Sequence, residues 1–89
     1  MIRRRVVIHG HVQGVFFRDT VRRNAVSAGV SGGWVRNTRE GTVEAVFEGA
    51  ESVVEELVAF CHVGPRGARV ERVEVSDEPV VGIGGFAIR

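Results

Sequence analysis

The chain has 89 residues, 44% hydrophobic and 26% charged, with a formal net charge of +1, which suits one small domain spanning residues 1–89 and leaves no room for a second. Acidic and basic residues are interspersed, so the bulk field attracts neither nucleic acid nor an anionic membrane, and the apolar runs fall far short of the roughly 18 residues a membrane span needs. Cys61 is the single cysteine, which excludes an intramolecular disulfide.

Met1-Ile2-Arg3-Arg4-Arg5 is basic, but too few apolar residues follow before His9 and Gly10 for the apolar region of a secretory signal. A cytoplasmic, monomeric protein is expected. The three arginines read as a solvated edge that discourages pairing with another sheet. Strand one is expected from Arg4 to His11, with Val6 and Ile8 on one face and Arg5, Val7 and His9 on the other. From Phe17 to Ala28 apolar residues fall at Phe17, Val21, Ala25 and Ala28, a helical spacing, and Gly29 suits a left-handed cap.

Between these two elements lies Gly10-His11-Val12-Gln13-Gly14-Val15-Phe16-Phe17-Arg18. A loop that opens into a helix directs unpaired N–H groups, and the positive end of the helix dipole, at whatever lies in front. Phosphate is the natural occupant. Gly10 and Gly14 allow the positive φ values and close approach that a concave nest of N–H groups requires. Arg18 sits where its guanidinium can give two parallel charge-assisted hydrogen bonds to phosphate oxygens. The same spacing also fits a turn without a ligand, followed by an arginine that faces water.

Trp34-Val35-Arg36-Asn37 is expected as strand two, and Thr38-Arg39-Glu40-Gly41 as a hairpin turn. In strand three Val43, Ala45 and Phe47 share one face, while Thr42, Glu44, Val46 and Glu48 make the other mostly polar, the pattern of a sheet with one covered face. Ser52 with Glu55 three residues on reads as a capping box for helix two. Its stripe is Val53 or Val54, Leu57, Val58 and Cys61 with Phe60 beside it, and Gly64-Pro65 ends it. On that stripe Cys61 reads as a buried small hydrophobe. Strand four spans Ala68 to Ser76, and the broken alternation of Val70 against Val73 and Val75 predicts a bulge or a twist. Val80 to Gly85 reads as a mobile connector, and Phe86-Ala87-Ile88-Arg89 as a short closing strand.

The order βαββαβ plus a short C-terminal strand predicts an α+β, ferredoxin-like split βαβ sandwich with two helices on one face of an antiparallel sheet. The first two strands are expected as central neighbours through a parallel crossover, which would bring the loop before Arg18 and the side chain of Asn37 to one pocket. Several catalytic kits find little support. No serine lies in a nucleophile elbow, no cysteine has an activating context, and no acidic cluster suits magnesium. His9, His11 and His62 lack a recognised ligand spacing, so no metal or other cofactor is expected.

Gly10 to Arg18 resembles the signature G-x-V-Q-G-V-x-F-R of the acylphosphatase family. Gly33-Trp34-Val35-Arg36-Asn37-Thr38, followed by Gly41-Thr42-Val43-Glu44, resembles a second family signature, and Gly64-Pro65 with Ala68-Arg69-Val70 a third and weaker one. The resemblance covers nearly the whole chain in the right order and implies the same fold. It implies metal-independent hydrolysis of the carboxyl-phosphate bond of acyl phosphates, giving a carboxylate and inorganic phosphate. It assigns phosphoryl binding to Arg18 with the backbone of Gln13, Gly14, Val15, Phe16 and Phe17, and orientation of the attacking water to the side-chain amide of Asn37.

Scarce acid-base machinery suits that substrate. The leaving carboxylate has a conjugate acid of pKa about 4 and departs unprotonated, and loose phosphoryl transfer asks mainly for positioning and charge stabilisation. The interval from Arg18 to Asn37 is one residue longer than the family pattern, through the doubled Gly32-Gly33. That predicts either a bulge or a one-residue slip that turns Asn37 away from the pocket. Asp19 adds negative charge beside the phosphate site while favouring the helix N-terminus. The competing reading is a catalytically inactive ferredoxin-like module that binds an anion or a partner. RNA is disfavoured as that partner, because base stacking needs exposed aromatics and the chain has no Tyr, one Trp and five Phe.

Overall fold

The computed structural model describes residues 1–89. In chain order the elements are β1 (Ile2–His11), α1 (Phe17–Ala28), β2 (Gly32–Asn37), β3 (Val43–Gly49), α2 (Glu51–Val63), β4 (Arg69–Glu78) and β5 (Gly85–Ile88). Neither helix is long and apolar enough to cross a membrane.

The five strands form one sheet in the order β4-β1-β3-β2-β5. This corrects the expectation that β1 and β2 are neighbours. The short turn after Asn37 folds β3 back between them, so each pairs antiparallel with β3. The sheet is also mixed rather than wholly antiparallel, because β5 lies parallel to β2 at the edge opposite β4. The ring of Phe86 anchors β5 there by stacking on Phe47 at 5.6 Å.

Both helices cover one face. α1 buries Phe17, Val21 and Ala25, and α2 buries Val54, Leu57, Val58 and Cys61. These join Val6, Ile8, Val12, Val35, Val43, Ala45 and Phe47 in a core cluster of 14 buried residues. Burial of each large apolar side chain contributes about 1.5–3 kcal/mol. Cys61 is free and wholly buried; burial pushes its thiol up to about 12, so it carries no thiolate at neutral pH. The helix ends follow local signals only in part. Gly29 caps α1 in the left-handed region with φ 80°. α2 begins two residues earlier than a Ser52 cap requires: its N-cap is Ala50, without a side-chain cap, and Glu51 supplies the acidic first turn.

The predicted bulge lies where β4 pairs with β1. His9 stands opposite Arg72 and Gly10 opposite Val70, leaving Glu71 unpaired. Gly10, with φ 131°, serves this bulge and not the anion nest, since a Cβ there would sit 2.0 Å from the Arg69 carbonyl oxygen.

The face away from the helices is not simply solvated, contrary to the polar pattern of β3. Every residue from Val43 to Gly49 is buried. β3 is the middle strand, and long arginines from its neighbours lie across it. Glu44 accepts from Arg36 Nε at 2.6 Å and from Arg5. Burial alone would raise its carboxyl, but hydrogen bonds and charge from Arg36 and Arg5 hold it below the ordinary range. Glu48 accepts from the N–H groups of Val81 (3.0 Å) and Gly82 (2.7 Å) and from Arg3 (3.3 Å). The Val81 N–H contributes most to holding that carboxyl low, against burial, with Gly82 and Arg3 adding to it. The glycine-rich connector read as mobile is therefore pinned to β3.

Candidate active site

The site is built by two segments far apart in sequence. β2 and β3 pair without interruption from Gly32 opposite Glu48 to Asn37 opposite Val43. The doubled glycine thus makes neither a bulge nor a slip. Gly33 has φ 146°, and a Cβ on it would lie 1.9 Å from the Val46 carbonyl oxygen; one on Gly32 would lie 2.0 Å from that of Ile83. Glycine is required at both places by the close passage of neighbouring backbone. With the register intact, Asn37 shares the helix-side face of Val35, which is fully buried in the core.

The other segment is the turn between β1 and α1. Val12 and Phe17, 1% and 2% exposed, root its two ends in the core. Between them Gly14 has φ 74° and Phe16 φ 60°, left-handed conformations of the kind from which anion-binding nests are built. The Phe16 conformation costs a non-glycine residue about 1 kcal/mol. No protein group accepts a hydrogen bond from the backbone N–H groups of Gln13 to Arg18. They stand at the N-terminus of α1, where an anion is favoured.

Arg18, Asn37, Gly14, Phe16 and Phe17 line one cavity of about 300 Å³, together with Val12, Asp19 and Ile88. The predicted convergence of Arg18 and Asn37 is therefore present. Arg18 is half-buried and takes part in none of the nine ion pairs. Asp19 does not neutralise it, for its carboxylate pairs with Arg23 at 3.2 Å.

Two residues expected at the phosphate do not line the cavity. Val15 packs against the core. Gln13 does something its place in the signature did not reveal: its side-chain amide donates to the carbonyl oxygens of Thr38 and Thr42, each at 2.9 Å. It ties the nest to the turn immediately after Asn37 and so couples the two halves of the site. Ile88 was missed altogether, since nothing local in the sequence indicates that β5 docks beside β2. The histidines do not converge on one another. His9 bonds Glu74 at 2.6 Å, which is the largest cause of that carboxyl's lowered pKa, whereas His62 bonds the Val58 carbonyl on α2. No group of three or more His, Cys, Asp or Glu is placed to hold a metal ion.

The architecture and the cavity define a class: a split βαβ sandwich with a turn of unpaired N–H groups at the start of its first helix, sharing a cavity with a carboxamide from the second strand. A family model described as Acylphosphatase matches residues 4–88. Acylphosphatase of Rubrobacter xylanophilus is 58% identical over 86 residues, 96% of this chain and 77% of that protein. That of Haloarcula marismortui is 49% identical over 87 residues, 98% and 94% of the two chains. The crystal structure of acylphosphatase from Bacillus subtilis superimposes with a TM-score of 0.93 at 31% identity, covering 100% of this chain and 99% of that one. The chain belongs to the acylphosphatase family.

Proposed function

We propose that this protein hydrolyses acyl phosphates without a metal ion or other cofactor, with Arg18 and Asn37 as its catalytic residues. The observation that carries the reading is their meeting in one cavity, beside a run of N–H groups that no protein acceptor uses. The Arg18 guanidinium and the backbone N–H groups of the cavity-lining residues Gly14, Phe16, Phe17 and Arg18 hold the phosphoryl oxygens, on which charge accumulates in a loose transition state. The Asn37 amide is neutral and a poor base, so it orients the water for in-line attack. The water oxygen bonds to phosphorus as the bond from phosphorus to the acyl oxygen breaks. The carboxylate leaves with the electron pair, unprotonated, and one water proton passes to a phosphoryl oxygen of the substrate itself. The products are a carboxylate and inorganic phosphate. The site is complete within one chain, so the proposal takes a monomer, in the cytoplasmic location expected from the sequence.

A colourimetric assay that compares benzoyl phosphate with a phosphate monoester and ATP, with and without EDTA, tests this. The expected result is turnover of the acyl phosphate alone, unaffected by the chelator. Absence of turnover, or equal turnover of the monoester, would favour the inactive anion-binding module.

A further inference from the structure

Phosphoryl binding leaves part of the cavity wall without a purpose. Four of its eight lining residues are hydrophobic, and two of these, Val12 and Phe17, are core residues with almost no exposure. The other two are not. Phe16 is 80% exposed and Ile88 41%. Phe16 is also the sole non-glycine residue with a positive φ, a conformation that glycine would hold without strain. Its ring has no part in the aromatic contacts of the core, which are Phe17 with Phe60 and Phe47 with Phe86. An exposed ring in a strained conformation therefore contributes nothing visible to the fold.

Ile88 reaches the cavity from the other side. It stands opposite Val35 in the parallel pairing of β5 with β2, two residues before Asn37 on the same strand face. The wall also lacks a second cation. Arg18 is the only basic lining residue, and the only acidic one, Asp19, is taken by Arg23. A substrate whose phosphoryl group fills the nest must pass its acyl group out over this rim, across exposed apolar side chains and with no positive group to meet a charged tail.

We propose that Phe16 and Ile88 form an acyl-side subsite that selects uncharged aromatic or bulky aliphatic acyl phosphates over small or anionic ones. This rests on the acylphosphatase reading above and specifies its substrate class. The ring of Phe16 offers a flat face for stacking or edge contact with an aromatic acyl group, and Ile88 closes the opposite side by apolar contact.

Steady-state kinetics on the purified protein with benzoyl phosphate, acetyl phosphate and a phosphorylated dicarboxylic acid test the subsite. The wild type should show the highest kcat/KM for benzoyl phosphate. The ratio of kcat/KM for benzoyl over acetyl phosphate should fall about fivefold in Phe16→Gly and Phe16→Asn, the size of one aromatic contact, and about twofold to threefold in Ile88→Ala. Glycine and asparagine both accept the left-handed backbone, so a ratio that drops in both reports the ring and not the loop conformation. A ratio unchanged in all three variants, or a wild type that prefers acetyl phosphate or the dicarboxylic substrate, overturns the subsite while leaving the hydrolase reading intact. A wild type inactive on all three substrates sinks the hydrolase reading, and the subsite with it.

Discussion

Two turns of this chain present backbone N–H groups in a way that suits an anion, and they differ in where the anion comes from. In the connector before β5, the N–H groups of Val81 and Gly82 close on the carboxylate of Glu48 at 3.0 and 2.7 Å. In the turn before α1, the N–H groups from Gln13 to Arg18 meet no protein acceptor, and the adjacent acid, Asp19, is bound to Arg23. The same contrast holds for the arginines beside them. Arg3 spans Glu48 and Glu78, whereas Arg18 has no carboxylate partner. A buried N–H without an acceptor costs about 1–3 kcal/mol, so the first turn lies along an open cavity, where water or a ligand completes it. The lesson is that glycine content and exposed donors do not tell a structural turn from a binding turn. What separates them is whether the fold brings in a counter-charge of its own.

The largest break in this comparison comes from removing the cation on the open side. Arg18→Ala should lower turnover of an acyl phosphate by about a thousandfold, on the scale of an arginine that stabilises a transferring phosphoryl group, and should abolish phosphate binding in calorimetry. Arg18→Lys should also be badly impaired, because one ammonium cannot form the bidentate fork. Unchanged hydrolysis in the alanine variant would refute the assignment of that residue.

A smaller effect separates binding from positioning within the same cavity. Asn37→Ala should reduce kcat by about a hundredfold, the contribution of one placed polar group, while inorganic phosphate still binds with nearly wild-type affinity. Loss of phosphate affinity in that variant would count against the proposed division of labour between Arg18 and Asn37.

The smallest catalytic effect is expected on the closed side. Glu48→Gln removes the charge that Val81, Gly82 and Arg3 surround, so Tm should drop while turnover per folded molecule stays close to wild type. The pH dependence has a definite sign. The Glu48 carboxyl is held below its ordinary value of 4.5 in the folded protein, so its stabilisation is present above that value and is lost as the pH falls through the lowered one. Thermal melts should therefore show the wild type losing stability on acidification below about 4.5, and Glu48→Gln losing less over the same range. Glu44 titrates in the same direction and supplies acid sensitivity that remains in the variant. Equal acid slopes in the two proteins would show that Glu48 does not anchor the connector.

Local chemistry carried much of the reading. The apolar spacing of Phe17, Val21 and Ala25 and the glycine at position 29 defined α1, because a helix is specified by contacts between residues three and four apart. The out-of-step valines of β4 foretold its bulge, since strand alternation has a strict period of two. That Arg18 and Asn37 would line one cavity was legible through the wording of two signatures rather than through any spacing between them.

Tertiary structure decided everything that depends on which strands become neighbours. That β3 lies in the middle of the sheet buries Glu44 and Glu48, although their alternation with Val43, Ala45 and Phe47 is that of a solvated face. Gly10 proved to serve the bulge and Gly33 the close approach of Val46, distinctions set by backbone from elsewhere in the chain. The parallel docking of β5 brought Ile88 to the cavity, and the Gln13 amide joined two loops separated by 25 and 29 positions. Sequence determines which segments can form strands and helices because those preferences are local. Which faces become dry, and which donors are left without a partner, depends on non-local pairing and exists only once the sheet has assembled.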